Sequence, residues 1–154
     1  MRILIYLLLC LLLFSSSCFA KQPQQPDKKE RCPVCGMFIS PYRDWMGTIL
    51  FKDDSQLFFD GAKDLFRYYF SLPNKNDSRT RDDIAEIYLT DYYSVRLLPV
   101  NQLFLVLGSD VSGPMGHEMI PVTGEEAAKT FAKDHNGQKI ISFEQLTPQL
   151  IPKD

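Results

Sequence analysis

The chain has 154 residues, with 17 lysines and arginines against 19 aspartates and glutamates and a formal net charge of −2. That length suits one compact domain with a modest core. No basic run or patch is present, which argues against nucleic acid as a partner.

Arg2 precedes ILIYLLLCLLLF (3 to 14), an unbroken apolar run, and then SSSCFA. A membrane span needs about 20 apolar residues, so this shorter run reads as the hydrophobic part of an export signal over 1–20. Ala20, with the small Cys18 two positions earlier, suits cleavage before Lys21. The other reading is lipid attachment at Cys18, which would tether the chain to a membrane without spanning it. Ser15, where lipoproteins usually carry a Leu-like residue, departs from that pattern. The leader KQPQQPDKKE (21 to 30) is polar and proline-bearing, and reads as flexible with nothing to bury.

RCPVCGMFIS (31 to 40) follows, with Cys32, Cys35 and Met37. In an oxidising compartment a disulfide is the default for such a pair. Half a zinc site and a soft-metal grip are the other readings, and the pair alone does not choose among them. MGTILF (46 to 51) and QLFF (56 to 59) flank the turn-like KDDS and predict a hairpin. Asp60 is then placed to cap a helix in GAKDLFRYYFSL, where Ala62, Leu65, Phe66 and Tyr69 share one face. Pro73 and a polar linker over 74–83 end it.

IAEIYLT (84 to 90) and QLFLVLG (102 to 108) read as strands, and SDVSGPMGHEMIP as a Gly/Pro-rich loop. Thr123 and Glu126 form a capping box for the helix GEEAAKTFAKD, Gly137 closes it, and KIISF (139 to 143) is a last strand. Two strands then a helix, twice over, predict an α+β fold. Its single domain (31–154) would contain two similar β-β-α halves, 31–73 and 84–146.

Sulfur and imidazole concentrate in two places: Cys32, Cys35 and Met37, and then Met115, His117 and Met119. Methionine usually fills core gaps, the reading that suits Met46. The second group lies in a loop expected at the surface. If 115–119 runs extended, alternation turns Met115, His117 and Met119 to one side. Thiolate with thioether selects monovalent copper, and imidazole is compatible with it. Zinc would want four Cys or His ligands as two short-spaced pairs, and only one pair exists. His135 has a sufficient explanation at a helix end, where it favours the dipole. A thioredoxin-like role needs a strand before the thiol pair and a helix after it, and neither pattern is present. No phosphate-binding Gly loop, G-x-S-x-G or H-E-x-x-H occurs. The paired carboxylates Asp53, Asp54, Asp82 and Asp83 read as solvated charge.

CPVCGM, FFDGAKDLFRYY, GSDVSGPMGHEMIP and GEEAAKTFAKDHNGQKIISFEQL, in that order over 32–146, resemble successive blocks of the NosL family. Members of this family are periplasmic copper-binding accessory proteins of nitrous oxide reductase. The resemblance implies a small α+β protein akin to organomercurial lyase in topology. It also implies that the protein binds Cu(I), has no catalytic turnover and hands the metal to the reductase with an ABC-type membrane machinery. By position, Cys35 and Met37 match the first motif and Met115 the second. Glu118 takes the acidic position of P-M-G-x-E, a structural place, while His117 occupies its variable position. The metal-site candidates are therefore Cys35 and Met115, with Cys32, Met37 and His117 in support. Two other functions stay open: a thiol–disulfide redox protein using Cys32 and Cys35, and a structural zinc or disulfide-stabilised interaction module.

Overall fold

A computed structural model describes residues 23–74 and 77–153. The expected export signal over 1–20, with Cys18, lies outside them. Strand β1 (Gly47–Phe51) is buried along its whole length and lies between two antiparallel partners. One is β2 (Gln56–Phe59), which completes the expected hairpin in the register Gly47 to Phe59. The other is β3 (Ile84–Thr90), with Gly47 opposite Leu89. β4 (Leu97–Pro99) adds the edge, giving the order β2-β1-β3-β4.

The second sheet has the order β8-β5-β9, from β5 (Leu103–Leu107), β8 (Ile120–Thr123) and β9 (Lys139–Ile141). Between β5 and β8 the chain makes a small hairpin of β6 (Ser112–Gly113) and β7 (Gly116–His117). The strand over 84–90, expected to open the second half, belongs instead to the first sheet. Its apolar Ile87 and Leu89 pack with β1 in the main core. In the second sheet β5 pairs antiparallel with β8, and a helix follows β8.

Helix α1 (Ala62–Ser71) buries the expected Ala62, Leu65 and Phe66. Leu65 and Phe66 are fully inaccessible, each contributing roughly 1.5–3 kcal/mol by burial. Lys63 and Asp64 are buried as well, so the first turn has no solvated face. Asp60 does not cap this helix. The N-cap is Gly61, which has no side chain to offer. Helix α2 (Glu125–Asp134) likewise starts from Gly124, at φ 84°, with no side-chain cap. The expected capping box from Thr123 does not form, because Thr123 pairs with Leu103 as the last residue of β8. At the other end Asn136, at φ 56°, takes the left-handed position expected of Gly137. The Gly137 N–H donates to the Ala132 carbonyl (2.7 Å), and a Cβ there would crowd Val106 and Ala132.

β5 ties two cores together by strict alternation. Leu103, Leu105 and Leu107 join the main core with α1 and the first sheet, while Val106 packs against α2 with Ile120, Val122, Ala128 and Phe131. The leader is not without burial: Pro26 is buried, and the Gln24 N–H donates to the Gln56 side chain. In the linker, Asp77 is held by Arg79 and accepts from the Tyr68 hydroxyl. No helix among the described residues is long and apolar enough to cross a membrane.

Candidate metal centre

The Cys-x-x-Cys segment folds as a tight knuckle. The Cys32 N–H donates to the Met37 carbonyl and the Gly36 N–H to the Cys32 carbonyl, both at 2.9 Å. Gly36, at φ 77°, supplies the left-handed residue this turn needs. Arg31 and Phe38 close its base as an antiparallel bridge, and the Arg31 guanidinium sits 3.6 Å over the Phe38 ring. The knuckle docks on the start of α1. Cys32 is buried in the main core, whereas Cys35 is only half-buried.

Both cysteines are free thiols. Cys35 Sγ donates to both carboxylate oxygens of Asp60 (3.4 Å each), and Cys32 Sγ donates to Asp64 Oδ2 (3.5 Å). The two sulfurs and one oxygen from each aspartate all lie within 4.8 Å of one another. Asp60 and Asp64 are themselves buried, and Arg67 pairs with Asp64 at 3.3 Å.

Burial, reinforced by the neighbouring carboxylates, pushes the Cys35 thiol up to about 11 and Cys32 further still. A thiol–disulfide catalyst needs the opposite, a depressed thiol that is ionised near neutrality. What this arrangement can do is exchange its thiol protons for a soft cation, releasing them as the metal binds. Two sulfurs and two oxygens face one another, and a cation between them would relieve the repulsion of their ionised forms.

Asp60 and Asp64 are the residues that reading the sequence missed. Their signal was available, because positions four apart across a helix start lie on the same side, and this pair flanks a glycine and a buried lysine. They also change the zinc argument, since two carboxylates complete a four-donor set that the cysteine pair alone lacked.

The second motif reaches the same helix end by another route. Met115 occupies the two-residue turn between β6 and β7, with Gly116 at φ 79°. Its carbonyl accepts from Lys63 Nζ (2.6 Å), which fastens this turn to the first turn of α1. Residues 115–119 are thus not extended, and Met115, His117 and Met119 do not share a side. Met119 is fully buried in the main core, a packing role. His117 is exposed on β7, lining a hollow with Ser109 and residues 149–153, and it is outside the Cys/Asp group. Met37 is half-buried beside Cys35 in a groove shared with Phe38 and Tyr42. His135 is explained by packing: its Nδ1 lies 3.3 Å from Asp110, and its ring rests 4.5 Å from Phe131.

A family model described as NosL matches residues 23–151. Among solved structures, the crystal structure of the copper chaperone NosL from Shewanella denitrificans is similar at a TM-score of 0.70 and 24% identity, covering 84% of this chain and 98% of that one. The solution structure of apo-NosL from Achromobacter cycloclastes is similar at 0.48 and 20% identity, covering 68% and 87%. No curated protein matched the chain. At that identity the Shewanella structure establishes a shared α+β fold.

Proposed function

The chain belongs to the NosL family, and we propose that it is a periplasmic Cu(I) carrier that delivers copper for assembly of the centres of nitrous oxide reductase, together with an ABC-type membrane machinery. The similarly folded Shewanella protein is described as a copper chaperone, which agrees with this reading. The observation that carries it is the knuckle itself: two free thiols held against two buried carboxylates, with one thiol half-exposed.

Soft sulfur favours monovalent copper over hard cations. Cys35, half-exposed, would be the entry and exit ligand, Cys32 the inner one and Met115 the thioether, with Met37 and His117 in support. Few ligands at a surface site suit transfer, since a recipient's ligands can displace them one at a time. Asp60 and Asp64 hold the thiols in place through their contacts with Cys35 and Cys32 Sγ. A Cys32–Cys35 disulfide would be an off state, because both sulfurs must be reduced to bind.

The test is anaerobic titration of the reduced protein with Cu(I) against a chromogenic competitor, with Zn²⁺ in parallel. Tight copper binding that is lost in Cys35→Ser, with weaker zinc binding, supports the carrier. Preference for zinc, or copper binding indifferent to Cys35, overturns it.

A further inference from the structure

Glu118 is a buried carboxylate that the carrier chemistry does not use. It is 4% exposed, and its Oε1 accepts from the backbone N–H groups of Lys63 (2.6 Å) and Met119 (2.8 Å). Lys63 is the second residue of α1, whose first-turn N–H groups have no partner within the helix. Gly61 offers no cap, so the cap comes from Glu118, 55 residues downstream of the N–H it accepts. A carboxylate is the favoured group at this pole of a helix.

Two glycines make room for it. A Cβ at Gly61 would overlap Glu118 Oε2, and one at Gly113 would stand 3.0 Å from its Cγ. A second tie runs in the other direction, from Lys63 Nζ to the Met115 carbonyl at 2.6 Å. The β6–β7 hairpin is therefore fastened through Glu118 at its foot and Met115 at its turn. Both ties end on the helix start that bears Asp60 and Asp64.

We propose that Glu118 and Lys63 form a clamp that positions the Met115 turn beside the Cys32/Cys35 site, Glu118 being a positioning residue for metal retention and not a ligand. The inference deepens the Cu(I) reading and rests on it for the role of Met115. Glutamine at 118 keeps an oxygen for the two N–H groups and should preserve the clamp. Alanine removes it.

The clamp is tested first without metal, by amide hydrogen exchange of the purified reduced protein. Glu118→Ala should lose protection over residues 112–117 while β1 and β3 keep theirs, and Glu118→Gln should retain it. Unchanged protection in the alanine variant overturns the clamp whether or not the protein binds copper. Cu(I) competition then tests positioning. Glu118→Ala should weaken binding about tenfold or more, the range for residues that orient ligands, with Glu118→Gln close to the unmodified protein. Glu118→Ala should add nothing in a Met115→Leu background. Additive losses would mean that Glu118 acts other than through Met115, and would sink the inference. If Glu118→Ala does not fold, Lys63→Leu, which leaves the cap intact, should show the same dependence on Met115. Failure of the unmodified protein to bind Cu(I) counts against the carrier reading, while the exchange result still decides the clamp.

Discussion

At Glu118, burial and hydrogen bonding pull in opposite directions, and the outcome is measurable as a pH dependence of stability. Burial raises its pKa, while the N–H donors of Met119 and Lys63 and the Lys63 charge lower it. The result is a carboxyl moved from an ordinary 4.5 to about 7. The folded state therefore holds this proton more tightly than the unfolded chain does. Its stabilising contribution is complete below pH 4.5 and is lost as the pH rises through 7. A displacement of that size corresponds to about 3 kcal/mol, a large share of the roughly 5–15 kcal/mol typical of a whole domain.

The aspartates with depressed values, such as Asp77 beside Arg79, act in the opposite sense. Their contribution is present above their unfolded value near 3.8 and is lost in acid, below the window that matters here. Urea unfolding of the metal-free, reduced protein at pH 5, 6, 7 and 8 should show stability falling by about 2–3 kcal/mol relative to Glu118→Gln. Parallel curves for the two proteins would refute the assignment of a buried, proton-holding carboxyl to this position.

Three further outcomes follow from the site. Cys35 should alkylate about tenfold more slowly at pH 8 than an unperturbed thiol, given its rise from 9.0 to about 11, with a rate that climbs steadily with pH; fast alkylation near neutrality would restore the redox reading. Asp60→Asn should speed that alkylation, because it removes a carboxylate that accepts from Cys35 Sγ; an unchanged rate contradicts the contact. Gly61→Ala should lower the urea midpoint by the equivalent of about 1–3 kcal/mol, since the new methyl meets Glu118, and a neutral effect would show that the loop is not held there.

Periodicity makes β1, β2, β3, β5, β9 and both helices legible, but not β4, β8 or the β6–β7 hairpin, whose strands are short and interrupted by Gly and Pro. It served poorly where a residue's partner lies far away in sequence. The capping box at Thr123 and the cap at Asp60 both look sound locally, but glycine takes each N-cap. At α1 the reason is tertiary: Glu118 occupies the space a local cap would need. The segment over 84–90 reads as a strand, but its pairing with β1 is not legible, since no local feature says which neighbour a strand pairs with. The cysteines and Met115 stood out by chemistry. Asp60 and Asp64 did not, because an aspartate near a helix start looks like a cap or a solvated charge until something is folded over it. By residue chemistry alone Met119 resembles Met115, and the hairpin turn parts them, leaving Met119 fully buried and Met115 half-exposed.

In the proposed site a soft cation sits on sulfur from both motifs. X-ray absorption at the copper edge of the reduced, Cu(I)-loaded protein, compared with Met115→Leu, tests it most directly. Monovalent copper in a sulfur-dominated shell that loses one sulfur in the variant is the expected result. A shell of oxygen and nitrogen, or one identical in the two proteins, would contradict it.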